Sequence, residues 1–139
     1  MTVMEGIRDY LSACPYLAKG ALRVDYLGDR PTEYTVEAVP SDRVVTQYAD
    51  GGTLREFLFL FASREEYGSD VLQNLENSGF YEQFSDWLSA QDQAGRFPVL
   101  PEGKEPQRIE TLSGGYLLDA QEHSARYQIQ CRLLYYQKG

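Results

Sequence analysis

The sequence predicts an α+β fold, in which helices pack on one mainly antiparallel sheet as a two-layer or three-layer sandwich. Residues 57–61 have no polar side chain, so a strand there would be apolar on both faces and would lie in the middle of a covered sheet. Period-two alternation precedes and follows this run, whereas helical periodicity is confined to the start of the chain and to residues 64–94. With 139 residues, 42% of them hydrophobic and 24% charged, the chain fits a single domain over residues 1–139.

The first predicted element is a helix over residues 2–14. Thr2 and Glu5 have the spacing of a capping box, which satisfies free N–H groups at the start of a helix. Apolar residues then recur at spacings of three and four, at Met4, Ile7, Leu11 and Cys14. Pro15 cannot donate a helical hydrogen bond, so we expect the helix to end before it.

Four strand candidates follow within residues 21–62, and the apolar run belongs to the last of them. The first two, at residues 22–26 and 34–38, alternate apolar and polar residues, and residues 44–49 are the third candidate. A turn is predicted at residues 28–31, and Asp50, Gly51 and Gly52 supply the positive φ angles of a tight hairpin. Because all the connections are short and polar, we expect an antiparallel meander.

Residues 64–94 are predicted to be helical. Ser63 and Glu66 have capping-box spacing, which predicts a helix start directly after the apolar strand. Val71, Leu72 and Leu75 form one short apolar stripe. The sequence Asn-Ser-Gly at residues 77–79 interrupts it, and a longer amphipathic pattern then follows at Phe80, Phe84, Trp87 and Leu88. The segment is therefore two helices or one helix with a break, and a surface loop rich in proline is expected over residues 95–107.

The C-terminal strands are predicted over residues 109–136. The first of them is interrupted by Gly114 and Gly115, where a bulge or turn is expected. The last is a long strand whose inward row is apolar and whose outward row is mostly polar. That outward row ends in Leu134 and Tyr136, which are apolar where polar residues are expected. Such residues are candidates for a contact between subunits.

The chain is acidic, with a formal net charge of −8. Residues 63–93 contain seven acidic residues and one arginine, so most of the excess charge lies there. We interpret this segment as the solvated face of helices. Binding to nucleic-acid phosphates needs clustered Lys and Arg, and the sequence has no such cluster. No apolar run reaches the ~18 residues that span a membrane.

Residues that suggest chemistry are few. His123 is the one histidine, and with Asp119 and Glu122 it forms either a solvated turn or a weak cation site. Cys14 lies on the apolar helical stripe and Cys131 points inward on a strand, so both are expected to be buried, free thiols in a reducing cytoplasm. A catalytic triad would need a base beside a nucleophile. The sequence therefore predicts no enzymatic activity and no catalytic, cofactor-binding or metal-binding residue.

Three stretches carry a more specific pattern. The first is the helix at residues 7–11 running into Cys14 and Pro15. The second covers residues 59–70 and continues through residues 77–81 and 84–88. The third joins residues 116–119 to residues 125–136. Together with the order of the elements, these stretches resemble a family of small minor capsid proteins of tailed phages and prophages, which look related to tail terminator (tail-completion) proteins.

This resemblance implies a structural role in a virion. Tail terminators resemble α+β sandwiches that assemble as rings, commonly hexameric, which cap the tail tube and offer a surface to the head connector, so the resemblance also implies a tail-terminator-like fold. The resemblance thus implies self-association, contacts with tail-tube and head-connector proteins, and a location in the cytoplasm during assembly and at the head–tail junction afterwards. We expect no cofactor, no membrane and no specific nucleic-acid binding, since an acidic channel passes DNA without holding it. Two alternatives stay open: a non-catalytic binding module of the bacterial host with the same fold, and a small-molecule enzyme.

Overall fold

The computed structural model describes residues 1–17, 22–28, 33–40 and 43–139. Within these residues the chain forms two helices and seven strands. They are α1 (Val3–Leu11), β1 (Leu22–Val24), β2 (Glu33–Ala38), β3 (Arg43–Gln47), β4 (Thr53–Glu66), α2 (Val71–Gln93), β5 (Lys104–Thr111), β6 (Tyr116–Ala120) and β7 (Ser124–Gln137). The predicted α+β class, with helices packed on a mainly antiparallel sheet, is confirmed. No helix among the described residues is both long and apolar enough to cross a bilayer.

Two 14-residue strands, β4 and β7, form an antiparallel pair at the centre of the sheet. Each has two short neighbours along its outer edge. β3 lies along the first residues of β4 and β2 along its later residues, whereas β6 lies along the start of β7 and β5 along its end. β1 pairs with the outer edge of β2. The strand order is therefore β3-β4-β7-β5 at one end of the sheet and β1-β2-β4-β7-β6 at the other.

The predicted meander over residues 21–62 is wrong in its pairing. β1 and β2 are parallel, and β2 and β3 follow one another along the same edge of β4. Alternation identifies a strand but not its partner, and Pro40, which has no N–H, cannot continue the β2 ladder. The hairpin between β3 and β4 is confirmed: Tyr48 N–H donates to the Gly52 carbonyl at 2.9 Å, and Gly51 has a φ of 88°. The turn predicted at residues 28–31 lies, beyond its first residue, outside the described part of the chain.

The helix start predicted at Ser63 and Glu66 is wrong, because β4 continues through both residues. Ser63 is fully buried within the strand, and its hydroxyl bonds to Tyr81 in the core instead of capping a helix. The helix begins only at Val71, after Asp70. The Asp70 carboxylate accepts the N–H groups of the second and third helical residues at 2.9 and 3.4 Å. Asp70 is thus the N-cap that the sequence pattern placed seven residues too early.

The break predicted at residues 77–79 is absent, and α2 continues through them. Asn77 is buried, and its side-chain amide donates to the Glu66 carbonyl at 2.8 Å. Gly79 costs the helix about 1 kcal/mol relative to alanine. Burial of large side chains on the following turns outweighs this cost, at Tyr81, Phe84 and Leu88.

Two further boundaries differ from the prediction. The N-terminal helix ends at Leu11, before the predicted bound of residue 14, because the Cys14 N–H bonds to the Leu11 carbonyl at 3.0 Å and tightens the chain into a turn. The surface loop predicted over residues 95–107 ends earlier, because β5 begins at Lys104. Pro106 is tolerated within β5, since β5 is an edge strand with a bulge at that point.

The helices cover one face of the sheet, so the described residues form two layers. On this face Phe59 and Phe61 are fully buried in a core shared with both helices, and the Phe61 ring stacks on that of Phe84 at 4.5 Å. On the other face, which we call the open face, Leu58 and Leu60 are half-buried. The expectation that residues 57–61 are covered on both faces is therefore wrong. Long polar side chains border the leucines instead, and their stems shield apolar surface.

Candidate assembly surfaces

The open face contains charged side chains that pair with one another. The Arg126 guanidinium makes two hydrogen bonds to the Glu37 carboxylate, at 3.0 and 3.1 Å. Arg132 lies between Glu56 and Glu110, at 3.4 and 3.1 Å. Carboxylates on β2, β4 and β5 thus already neutralise both guanidinium groups. The pairs join the strands laterally and leave these two arginines poorly suited to bind phosphate.

A cleft opens on the open face at the end of the sheet where β3 and β5 lie. Both strands have a β-bulge there, between Val44 and Thr46 in β3 and between Pro106 and Arg108 in β5. A bulge bends its strand and increases the local twist. The two bent strands flank β4 and β7 and enclose an open cleft of about 640 Å³, which we call the end cleft.

The end cleft has a mainly apolar floor and more polar walls. Its floor lies on the two central strands and consists of Leu54, Leu134 and Tyr136. Its walls are the hairpin and β5, with Tyr48, Ala49, Asp50, Gln107 and Arg108. Gln107 reaches the cleft because it is the extra residue of the β5 bulge.

Hydrogen bonds fix Tyr136 on the floor of the end cleft. The Tyr136 hydroxyl donates to Asp50 Oδ2 at 2.9 Å, and the Gly52 N–H donates to Asp50 Oδ1 at 2.8 Å. The Gly52 N–H and then the Tyr136 hydroxyl lower the pKa of Asp50, and the hydrogen bond to Asp50 raises the pKa of Tyr136. Asp50 is therefore ionised and Tyr136 neutral near neutral pH. The Tyr48 ring, on the hairpin wall, lies 5.9 Å from the Tyr136 ring.

Leu134 and Tyr136, the two residues that the sequence marks as candidates for a subunit contact, thus lie together in the end cleft. Both are half-buried, and their part in a contact stays a prediction. Sequence patterns miss the rest of the cleft, because a bulge has no clear residue signature. Gly52 is the available signal: a Cβ at this position would collide with the Tyr136 ring, so the hairpin needs glycine to approach the cleft floor.

A second apolar surface lies at the start of α2. Val71, Leu72 and Leu75 are 69%, 66% and 62% exposed, and we call these three residues the α2 ridge. They project away from the core because the buried residues of α2 recur on another side of the helix, at Asn77, Tyr81, Phe84 and Leu88. The apolar stripe that the sequence shows here therefore faces solvent.

β6 extends the surface of the α2 ridge. Leu117 and Leu118 are exposed on this strand, and Leu117 borders a groove of about 370 Å³ together with Val71 and Leu75. The strand can approach the helix because Gly115, directly before β6, packs against Tyr81, where a Cβ would collide with the ring.

Polar contacts in the core hold the first half of α2 on the sheet. The Tyr81 hydroxyl donates to the Tyr127 carbonyl at 3.0 Å and lies 2.7 Å from Ser63 Oγ. A phenol has one proton, so Ser63 is the donor in the second bond. Burial raises the pKa of Tyr81, and burial also raises the pKa of Glu65 beside it. The α2 ridge is therefore presented on a helix that is anchored to the ends of β4 and β7.

The end cleft and the α2 ridge lie at opposite ends of the sheet, and α2 packs on the face opposite the cleft. The cleft lies at the first residues of β4, between β3 and β5. α2 begins shortly after the last residue of β4 and approaches β6, on the outer side of β7. The 14 residues of β4 separate the two ends by about 40 Å, at ~3.3 Å per residue.

Glu122 and His123 lie in an exposed turn, whereas the two cysteines, Cys14 and Cys131, lie in the core. His123 Nε2 is 3.7 Å from Glu122 Oε1 between β6 and β7, and the described residues contain no cluster of three groups suited to hold a metal ion. Cys14 and Cys131 are buried and free, as predicted, and burial raises the pKa of both thiols. Both thiols are therefore protonated near neutral pH.

The chain matches no protein-family model and no curated protein.

Proposed function

We propose that the chain is a structural, non-catalytic protein whose copies associate into a closed ring, as a tail terminator or minor capsid component at the head–tail junction of a tailed phage or prophage. The observation that carries this proposal is the position of two unlike apolar surfaces, the end cleft and the α2 ridge, at opposite ends of one sheet. Contact between unlike surfaces is heterologous, and its repetition produces a closed ring or an open filament. A protein built for a two-fold dimer needs only one self-complementary surface.

The extent of the exposed apolar surface supports association. Soluble monomers rarely expose contiguous apolar patches larger than a few hundred Å². In this chain the α2 ridge and the leucines of β6 are exposed at one end of the sheet, and Val44, Val45 and Tyr48 are exposed at the other. Burial of such side chains between copies gains roughly 25 cal/mol per Å² of apolar surface.

The distribution of charge supports a place beside passing DNA. The solvent side of α2 presents Glu76, Glu82 and Asp86, and Arg126 and Arg132 of the open face are paired with carboxylates. A ring of such subunits repels phosphate more than it attracts it. The proposed neighbours in the virion, a tail-tube protein and a head connector, come from the family resemblance. So does the proposed order of events, in which the protein assembles in the cytoplasm and is then incorporated into the virion.

Ring formation is tested by light scattering and sedimentation velocity over a range of protein and salt concentrations, with and without the tail-tube protein of the same prophage. We expect one discrete oligomer, six-membered as is common among tail terminators, which appears as a ring in electron micrographs. A monomer under every condition, including the presence of the tail-tube protein, overturns the proposal.

The end cleft favours one alternative, a monomeric binding module of a bacterial host. A concave site with an apolar floor and a few polar groups is the usual form of a ligand site. In that case the wild-type protein stays monomeric, and one compound or peptide of a thermal-shift screen stabilises it through contacts that Leu134→Ala weakens.

A further inference from the structure

We propose that the end cleft of one copy receives the α2 ridge of the neighbouring copy. The proposal rests on the proposed function, because it assumes that copies of the chain associate, and it names the two surfaces that meet. The occupant of the cleft is thus a helix of a second copy of this chain.

The shapes of the two surfaces are complementary. The α2 ridge is convex and helical: Leu72 and Leu75 are three residues apart and Val71 and Leu75 four apart, the spacings that bring side chains together on a helix. The end cleft is concave, with Leu54 and Leu134 on its floor. An apolar helix face laid in an apolar groove, with anchors at such spacings, is a recurrent mode of recognition.

The charges around the two surfaces are also complementary. Asp70 and Glu76 flank the α2 ridge, within the segment that contains most of the net negative charge. Among the described residues, the end cleft itself is lined by one cation, Arg108, and one acid, Asp50. The acid within the cleft, Asp50, already accepts two hydrogen bonds from its own subunit.

Arg108 is the cation best placed to meet the acidic helix. Its side chain is 59% exposed, and its Nε is 2.7 Å from Glu110 Oε2. That ion pair uses one nitrogen of a guanidinium group that has five N–H donors. Glu76, four residues after Leu72 and therefore next to it on the helix, is the acid that we expect to pair with Arg108 of the neighbouring copy.

The distance between the surfaces makes the contact intermolecular. A copy cannot fill its own cleft, because about 40 Å of sheet separates the cleft from the ridge. Each copy therefore offers one unfilled cleft and one unfilled ridge. The contact repeats head to tail until the chain of copies closes on itself.

The test uses variants of the full chain. Leu75→Asp disables the α2 ridge at an exposed position, and Leu134→Asp and Arg108→Glu disable the end cleft. Val99→Asp is the matched control, because Val99 is 72% exposed and lines neither surface. Circular dichroism and thermal unfolding verify that each variant folds. Arg108→Glu, which leaves the core untouched, replaces Leu134→Asp in every measurement if the latter does not fold.

We expect Leu75→Asp and Arg108→Glu each to weaken self-association by at least about tenfold, because each places a charge against an apolar surface or against like charge. Val99→Asp should associate like the wild type. The decisive measurement mixes Leu75→Asp, which keeps an intact cleft, with Leu134→Asp, which keeps an intact ridge. The mixture should form a heterodimer and nothing larger. Because a single contact lacks the avidity of a closed ring, sedimentation is measured at the highest soluble concentration.

Two results overturn the contact: a Leu75→Asp variant that assembles like the wild type, or a mixture of folded variants that stays monomeric. The failure of the proposed function looks different, since the wild type itself would then be monomeric. If wild type and all variants form the same ring, the ring stands and this contact is wrong. Dimers of Leu75→Asp alone would indicate a symmetric contact through the cleft and would also contradict the proposal.

Discussion

Replacement of Tyr81 by phenylalanine tests whether buried hydrogen bonds hold the first half of α2, and with it the α2 ridge, on the sheet. The variant loses the hydroxyl but keeps a ring of the same shape, which still packs against Phe61 and Tyr127 at centroid distances of 6.2 Å. Two contacts disappear: the bond to the Tyr127 carbonyl at 3.0 Å and the bond from Ser63 Oγ at 2.7 Å.

The magnitude follows from these two bonds. A buried hydrogen bond contributes about 1 kcal/mol net, and a buried group left without a partner costs about 1–3 kcal/mol. Tyr81 and Ser63 are buried, so we expect Tyr81→Phe to lower the free energy of unfolding by about 2 kcal/mol. The double variant Ser63→Ala/Tyr81→Phe should cost less than the sum of the single variants, because it also removes the hydroxyl that lost its partner.

Urea unfolding followed by circular dichroism measures these differences, and amide hydrogen exchange locates them. Exchange in the first turns of α2 should accelerate more than exchange in β4. A change below about 0.5 kcal/mol, which is typical of a neutral surface substitution, would refute the argument that these bonds anchor the helix.

Three further predictions follow from individual side chains. Asp70→Ala removes the N-cap of α2 and should lower the free energy of unfolding by about 1 kcal/mol, whereas Asp70→Asn, which still accepts the N–H groups, should lower it less in the same urea assay. Burial raises the pKa of the Glu65 carboxyl, so the folded state binds the carboxyl proton more tightly than the unfolded state does. This contribution to the free energy of unfolding is fully present below the unfolded pKa of about 4.3. It is lost as the pH rises through the raised folded pKa. Glu65→Gln should therefore gain stability relative to the wild type as the pH rises through this range, and parallel pH profiles of the two proteins would contradict the burial argument. Cys14 and Cys131 should react slowly with a thiol reagent in the native protein and rapidly in urea, and equal rates would show that the thiols are not protected.

Short sequence patterns correctly predict the start of α1, the β3–β4 hairpin and the strand β7. Thr2 caps α1 through its hydroxyl, which accepts the Glu5 N–H at 3.1 Å, and the glycines after Asp50 form the predicted hairpin. The alternation near the end of the sequence also becomes a real strand, β7. In each case the residues that determine the element lie within a few positions of one another.

Other features depend on partners far away in the chain. Ser63 has the spacing of a helix cap, but pairing of β4 with β7 and β2 extends the strand past it, and its hydroxyl bonds to Tyr81. Asn77 and Gly79 look like a break, yet a hydrogen bond from Asn77 to the Glu66 carbonyl keeps the helix in place. Tertiary contacts thus override local preference at these positions.

The candidate site was only partly accessible to sequence reasoning, for the same reason. Leu134 and Tyr136 stand out because they break an alternating pattern. Arg108 and Tyr48 carry no such signal, and they join the end cleft only because the bulges of β3 and β5 bend those strands. The sequence shows the α2 ridge as an apolar stripe. Whether that stripe faces the core or the solvent depends on which side of the helix packs against the sheet.

The central pairing of β4 with β7 has a consequence for how the chain folds. These strands are separated by residues 67–123, so the core ladder forms only after a long loop has closed. Folds dominated by such distant pairings have a high relative contact order and fold in milliseconds to seconds, more slowly than helical bundles. Until β7 pairs with β4, the apolar residues 57–61 have β2 as their strand partner in the described part of the chain, and only at residues 59–61. Newly made chains are therefore most prone to aggregate during this interval, and chaperone binding or slow synthesis should raise the yield of folded protein.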